Sequence, residues 1–139
     1  MEKKAFVTKE QVEEIVKTYP TPFYLYDEAG IRRNVENVKK AFSWNPGFRE
    51  YFAVKATPNP SIVKLLAEYD CGTDCASKTE LMMANALGLS GDHIMFSSND
   101  TPFEEYTYAN ELGAIINLDD ITHIPFLESI IGPKFPEIV

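Results

Sequence analysis

The sequence predicts an α/β fold in which strand–helix units repeat and the strands form a parallel sheet. The expected strands begin near residues 23, 51, 72, 93 and 114, so the last three intervals are each 21 residues. A helix pattern lies between successive runs, and capping patterns precede several of these helices. This alternation is typical of βα units with right-handed crossovers.

The composition is that of an ordinary soluble domain. The chain has 139 residues, 45% of them hydrophobic and 24% charged, which suffices for one domain with a core. A net charge of −8 argues against nucleic acid or an anionic membrane as a partner. No apolar run approaches the ~18 residues that a membrane-spanning helix needs, and Met1–Lys4 leads into no signal peptide. We therefore expect a cytoplasmic protein.

The first part of the chain contains two expected helices and two expected strands. Thr8–Gln11 is a capping-box pattern, so the first helix should run from there to Tyr19, ahead of a proline. The aromatic run Phe23–Tyr26 predicts a strand, and Asp27 can cap a second helix with apolar residues at helical spacing. Tyr51–Val54 is a buried-strand pattern that two prolines close.

The rest of the chain repeats this alternation. The further strands expected are Cys71–Ala76, His93–Phe96, Ala114–Leu118 and one that begins near Phe135. The further helices expected are residues 62–69, two that follow the capping boxes Ser77–Glu80 and Thr101–Glu104, and a last one from Asp119 or Asp120.

Five βα units and the start of a sixth are too few for an eight-unit barrel, which takes about 250 residues. A complete doubly wound sheet is the competing interpretation, but no Gly-rich phosphate loop follows any strand.

Lys55 is the first candidate functional residue. It ends the strand Tyr51–Val54 on the same face as Ala53, whose small side chain leaves room for a flat ligand. Ligands and catalytic groups of α/β proteins collect at this end of the strands. Partial burial there would favour the neutral amine, which is a nucleophile. The alternative is a lysine that ends a strand and extends into water.

Asp74 is the second candidate, because it lies between the small residues Gly72 and Ala76 on one face of the next strand. A carboxylate is not expected in an ordinary apolar core. If Asp74 and Lys55 face the same side, they are neighbours on adjacent strands, and the carboxylate would hold the amine in position. The alternative is a buried ion pair that only fixes the strand register, and the spacing alone favours neither.

The cysteines and histidines predict neither a disulfide nor a metal site. Cys71 and Cys75 lie on one face of one strand, too far apart to bridge without distortion. A C-x3-C pair without matching histidines is a poor zinc site. We expect reduced, buried thiols, and we expect His93 and His123 to be structural.

Four segments are distinctive in their order and spacing. They are Thr21–Asp27 (TPFYLYD), Tyr51–Ala56 (YFAVKA), Asp74–Leu81 (DCASKTEL) and Ile115–Asp119 (IINLD). Together they resemble the N-terminal half of the fold-type III pyridoxal-phosphate decarboxylases, over nearly the whole chain. The first segment is most similar to the diaminopimelate decarboxylases, and the third is similar to the eukaryotic ornithine decarboxylases.

The resemblance implies a pyridoxal 5′-phosphate enzyme on an alanine racemase-like (β/α)8 TIM barrel, of which this chain is an incomplete N-terminal part with about five βα units. Lys55 corresponds to the family's lysine that binds the cofactor covalently. Asp74 corresponds to the acid that contacts this lysine, and Ala53 to a small residue packed close to the cofactor. The family usually has asparagine where this chain has Thr57.

The resemblance also implies a reaction, the decarboxylation of meso-2,6-diaminopimelate to L-lysine in amino-acid biosynthesis. A decarboxylase of the same group acting on ornithine, arginine or carboxynorspermidine is one alternative, and a non-catalytic interaction module on the same fold is another. We expect residues 1–20 to be a lead-in helix and residues 21–139 a partial barrel. Three features of the family would lie beyond residue 139: the C-terminal β-domain, the phosphate site and the cysteine that the partner subunit contributes. We therefore expect this chain to be an inactive portion of a homodimeric enzyme. Its unpaired strand edges predict self-association.

Overall fold

The computed structural model describes residues 4–138, which fall into two compact units. The first unit extends to Asn34 and the second begins at Val35. Helix α2, Glu28–Ala41, contributes residues to both.

The first unit contains helix α1, Lys9–Thr18, and the start of α2. The predicted capping box is confirmed, since Thr8 Oγ1 accepts a hydrogen bond from Gln11 N (3.3 Å) and Gln11 Oε1 accepts one from Thr8 N (2.7 Å). Asp27 also caps α2 as predicted, because its Oδ1 accepts from Gly30 N at 2.9 Å. The predicted strand 23–26 is wrong: among residues 4–138 this extended segment has no strand partner, which a strand needs.

In the second unit, four parallel strands alternate with four helices over the residues that the structure describes. The strands are β1 Tyr51–Ala53, β2 Gly72–Cys75, β3 Ile94–Ser97 and β4 Ile115–Asn117, in the sheet order β1-β2-β3-β4. The helices are α3 Pro60–Ala67, α4 Lys78–Ala86, α5 Phe103–Glu111 and α6 His123–Ile131. Each strand precedes its helix and pairs with the next strand, so the prediction of parallel βα units is confirmed.

The core lies between one face of the sheet and helices α4, α5 and α6. Its strand residues, all fully buried, are Cys75, Ile94, Phe96 and Ile116. Its helix residues are Leu81, Ala84, Tyr106, Ala109 and Leu127. Because side chains alternate along a strand, the residues between these point to the other side of the sheet. We call that side, which carries the partly exposed residues Ala53, Asp74, Met95, Ser97 and Asn117, the open face.

The chain after α6 returns to the sheet. Ile138 forms a parallel bridge with Ile116 of β4, and Ile116 N donates a hydrogen bond to Glu137 O at 3.0 Å. Of the strand predicted to begin near Phe135, the described residues show one isolated bridge, at Ile138, beside β4.

The predicted capping box at Thr101 is wrong. The Thr101 hydroxyl donates a hydrogen bond to Ser98 O (3.1 Å), and the residue at the N-cap of α5 is Pro102, which has no side-chain group to cap the helix. Helix α5 begins two residues later, at Phe103, with Pro102 before it. Proline suits this position because its missing N–H would have no partner there.

The last helix begins later than predicted. Asp120 Oδ1 accepts from Thr122 N at 2.7 Å, which closes a local turn, and α6 starts only at His123. This start places Pro125 in the first helical turn, where the absence of an N–H costs no hydrogen bond. A start at Asp119 would have placed the proline further inside the helix.

Gly72→Ala is expected to destabilise the second unit. A Cβ atom at residue 72 would lie 2.7 Å from two ring carbons of Tyr51 and 2.8 Å from the backbone oxygen of His93. The Tyr51 ring cannot move freely, because its hydroxyl donates to Asp92 O at 2.6 Å. We expect a loss of about 1–3 kcal/mol in the free energy of unfolding, measured by urea denaturation.

Gly47→Ala is the matched control for this change. Its Cβ atom would meet only Asn45 Oδ1, at 3.5 Å, which is ordinary contact. We expect a change within about 0.5 kcal/mol. Equal effects of the two substitutions would contradict the proposed clash at residue 72.

Candidate active site

Lys55 lies just beyond the carboxyl end of β1. The strand ends at Ala53, and Val54–Ala56 form a single 3₁₀ turn in which Thr57 N donates to Val54 O at 3.1 Å. The turn buries the Val54 side chain completely and leaves Lys55 exposed. The partial burial expected from the sequence is therefore not observed. The amine is accessible to a ligand instead.

Asp74 lies on the open face of β2, directly beside β1. Its register partner is Ala53, so the two side chains are neighbours on the same face. Ala76, two residues after it, has a small side chain, whereas the Tyr51 ring fills the space at Gly72, two residues before it. Asp74 Oδ1 is buried and has no hydrogen-bond partner among the described residues. A buried carboxylate oxygen without a donor is costly, so this position favours a ligand or side chain that supplies one.

The pKa of Asp74 responds to burial and to two neighbouring charges. Burial raises the pKa of Asp74, and the charge of Lys55 acts in the opposite direction and lowers it. The Glu80 carboxylate raises the pKa of Asp74 further. Glu80 is held at the start of α4, where its Oε2 accepts from Ala76 N at 2.8 Å. Both Lys55 and Glu80 thus act on the charge of Asp74 at the carboxyl end of the sheet.

The stability effect of Asp74 depends on pH in the direction opposite to that of most carboxylates. A raised pKa in the folded state means that the folded protein holds this proton more tightly than the unfolded chain does. The protein should therefore lose stability as the pH rises from about 4 through the folded pKa of Asp74. Asn resembles the protonated acid and does not titrate. We expect urea denaturation to show Asp74→Asn gaining stability relative to the wild type as the pH rises.

Asp120→Asn is the matched control with the opposite sign. Hydrogen bonds from Thr122 lower the pKa of Asp120. The wild type should therefore gain stability relative to this variant as the pH rises through the range in which Asp120 loses its proton. A stability difference between Asp74→Asn and the wild type that stays constant with pH would contradict the assigned burial of Asp74.

A hydrogen-bonded pair that sequence reasoning missed lies further along the open face. Asn117 Nδ2 donates to Ser97 Oγ at 3.2 Å, and the two residues are register partners in β3 and β4. Both are at the carboxyl ends of their strands. The signal was present in the sequence, because Asn117 is a polar residue that directly follows Ile115 and Ile116 in a strand pattern.

A polar cluster occupies the opposite, amino end of the sheet. His93 contacts Asp70 (Nε2–Oδ1, 3.0 Å) and Asp92 (Nδ1–Oδ1, 3.1 Å), and Arg49 Nη1 lies 2.9 Å from Asp92 Oδ2. The hydrogen bond with His93 lowers the pKa of Asp70, and that with Arg49 lowers the pKa of Asp92. Of these groups, Arg49, Asp70 and Asp92 border an open cavity of about 360 Å³. They are mutually paired, which fits the structural role predicted for His93.

The remaining candidates are structural in the described part of the chain. Cys71 and Cys75 are free and buried, as predicted, and burial raises the pKa of Cys75 to about 12. The His123 ring packs edge-on against Tyr106, with their centroids 6.2 Å apart. Residues 4–138 contain no group of three His, Cys, Asp or Glu side chains that could hold a metal ion. None of the helices within these residues is long and apolar enough to span a membrane.

The sequence matches a known family over residues 28–132, which include all the candidate residues above. The family is described as the pyridoxal-binding domain of the pyridoxal-dependent decarboxylases.

Individual relatives are similar over most of this chain. Protein TabA of Pseudomonas amygdali pv. tabaci is 45% identical over 128 residues, which are 92% of this chain and 29% of that protein. Diaminopimelate decarboxylase of Methanothermobacter thermautotrophicus is 31% identical over 118 residues, 84% of this chain and 28% of that protein. The chain therefore spans less than a third of the length of these relatives.

The same group is found among solved structures. The crystal structure of diaminopimelate decarboxylase from Helicobacter pylori, complexed with L-lysine, is 34% identical and superposes with a TM-score of 0.76. The superposition covers 86% of this chain and 30% of that one. The parallel βα units of the second unit thus match part of a TIM-barrel-type fold.

Proposed function

Because the chain belongs to the family of pyridoxal-dependent decarboxylases, through their pyridoxal-binding domain, we propose that Lys55 is the residue to which pyridoxal 5′-phosphate attaches covalently. Three features support the fit. Lys55 is exposed. Ala53, the register partner of Asp74, has a small side chain. Asp74 presents a buried oxygen that lacks a hydrogen-bond donor. When bound, the cofactor supplies an aldehyde for attachment to an amine and a ring that accepts the electron pair left by the departing carboxylate.

Each of these residues has a distinct task in the proposal. The Lys55 amine would hold the cofactor covalently through the cofactor's aldehyde, with loss of water, and the amino group of the substrate would take its place during the reaction. The carboxylate of Asp74, which acts on the same amine through its charge, would keep it near the open face. Ala53 admits the flat ring because its side chain is a single methyl group. The other face of the sheet, packed under α4 to α6, holds these positions rigidly.

We propose diaminopimelate as the substrate, with decarboxylation to L-lysine as the reaction of the whole protein. The observation that carries this proposal is the likeness, at 31% and 34% identity, to diaminopimelate decarboxylases from an archaeon and a bacterium. The segment Thr21–Asp27, which resembles the opening of the same enzymes, adds support. We place the protein in the cytoplasm, where this amino-acid chemistry would serve biosynthesis.

The test is a decarboxylation assay with the product of the complete reading frame, loaded with pyridoxal 5′-phosphate. meso-2,6-Diaminopimelate, L-ornithine and L-arginine are compared under identical conditions, and released CO2 and L-lysine are quantified. We expect kcat/KM to be at least about tenfold higher for diaminopimelate than for the others, a difference of about 1.4 kcal/mol in transition-state binding. A higher value for ornithine or arginine would overturn the substrate assignment while leaving the family unaffected.

We further propose that the protein associates with itself, as a homodimer in the whole enzyme and through exposed strand edges in the 139-residue chain. Within the described residues, β1 pairs on one side only, with β2, and such an edge is a template for a second strand. Size-exclusion chromatography with light scattering measures the mass directly. A monomer that persists at high concentration would count against this proposal.

A further inference from the structure

The pair formed by Ser97 and Asn117 has no role in the site proposed above, although it lies on the same face. β3 is the second strand from β1, at a distance of roughly two strand spacings or 10 Å. Cys75 pairs with Phe96, so the next residues along these strands, Ala76 and Ser97, lie level with one another. Ala76, the residue of β2's continuation at that level, has only a methyl group as its side chain. This leaves space for a ring bound at Lys55 to approach Ser97.

The hydrogen bond within the pair fixes what Ser97 can do. Asn117 Nδ2 is the donor and Ser97 Oγ the acceptor, at 3.2 Å. A hydroxyl group that accepts one hydrogen bond still has its own proton to donate. Asn117 thus occupies one lone pair of Ser97 from the side of β4, and the proton remains available toward the open face. The pair is partly buried, so a further acceptor would find a donor that is already oriented.

We propose that Ser97 donates a hydrogen bond to the ring of the pyridoxal group attached at Lys55, and that Asn117 is the residue that positions Ser97 for it. The inference rests on the proposed function of Lys55. It assigns the contact to the ring and not to the phosphate, because the pair offers one neutral donor. Phosphate sites instead use cationic side chains or several backbone N–H groups.

The alternative role of the pair is to fix the register of β3 against β4. Such cross-strand polar pairs stabilise sheets without any ligand. A purely structural role would affect the unfolding midpoint and leave ligand affinity unchanged. Equilibrium affinity for the cofactor, measured apart from activity, therefore separates the two roles.

The experiment measures the dissociation constants of pyridoxal 5′-phosphate and of pyridoxal, by absorbance titration of the complete reading-frame product. Ser97→Ala is expected to weaken the binding of both compounds about fivefold, the effect of one neutral hydrogen bond. Asn117→Asp should act similarly, since a carboxylate only accepts and so takes the Ser97 proton for itself. In the double variant, Asn117→Asp should then cause little further loss of affinity beyond that of Ser97→Ala. If Asn117→Asp acted through its new charge, its loss of affinity would add to that of Ser97→Ala.

Ser98→Ala is the matched control, because it makes the same substitution at the next residue. Ser98 is buried, and by the alternation of side chains it belongs to the face that packs against the helices. It should leave both dissociation constants unchanged. Wild-type affinity in Ser97→Ala, or equal losses in Ser97→Ala and Ser98→Ala, would overturn the inference. A loss seen with pyridoxal 5′-phosphate alone would overturn the assignment to the ring. Trapping of the cofactor away from Lys55 in the wild type would overturn the proposed function, and this inference with it.

Discussion

Lys55→Ala is expected to abolish the covalent attachment of pyridoxal 5′-phosphate and with it all measurable decarboxylation. The amine of Lys55 is the only part of the proposed machinery that forms a bond to the cofactor, and no other side chain can replace it at that position. The measurement is the absorbance band of the attached cofactor, followed by borohydride reduction and the mass of the intact protein. The variant should lack the band and keep the mass of the unmodified chain.

Lys64→Ala is the matched control for this variant. Lys64 is an exposed lysine on helix α3, away from the strand ends, so its loss should leave the band and the added mass intact. Lys55 is exposed too, and its replacement should not unfold the protein. An undiminished band in Lys55→Ala, or equal losses in both variants, would show that the cofactor attaches elsewhere.

Phe96→Ala is expected to cause the largest loss of stability. The Phe96 side chain is completely buried at the centre of the sheet and packs edge-on against Tyr106, with the ring centroids 5.9 Å apart. Removing it leaves a cavity between β3 and α5 that the surrounding strands cannot close. We expect the free energy of unfolding to fall by about 3–5 kcal/mol, measured by urea denaturation. This is a large fraction of the stability of a typical domain.

Phe103→Ala supplies the control, because Phe103 is 55% exposed at the start of α5. Its replacement should change the free energy of unfolding by less than about 1 kcal/mol. If Phe96→Ala were no more destabilising than Phe103→Ala, the core would not lie where the sheet and helices place it.

The repeat of strands and helices could be predicted because it depends on local signals. Apolar runs at a constant interval gave β1 to β4, and capping residues such as Thr8 and Asp27 gave the starts of α1 and α2. Alternation along the strands predicted that Asp74 shares a face with its neighbours Gly72 and Ala76, but it does not fix the register, in which Asp74 pairs with Ala53. The functional roles of Lys55 and Asp74 stay predictions.

The features that could not be predicted depend on tertiary context. The segment 23–26 has strand-forming residues, but a strand exists only where a neighbour pairs with it. Thr101 has the right residue type for a cap, yet its hydroxyl donates to Ser98 O instead. The exposure of Lys55 follows from the 3₁₀ turn after Ala53, and an apolar run gives no sign of where pairing stops. The contact of Ser97 with Asn117 joins residues 20 positions apart, which no local pattern connects.

The most direct measurement of the central claim is the location of the cofactor on the wild-type chain. The protein is incubated with pyridoxal 5′-phosphate, reduced with borohydride, digested and analysed by mass spectrometry. We expect the pyridoxyl group on the peptide that contains Lys55, at near-stoichiometric yield. A modification spread over exposed lysines such as Lys64, with Lys55 unmodified, would contradict it.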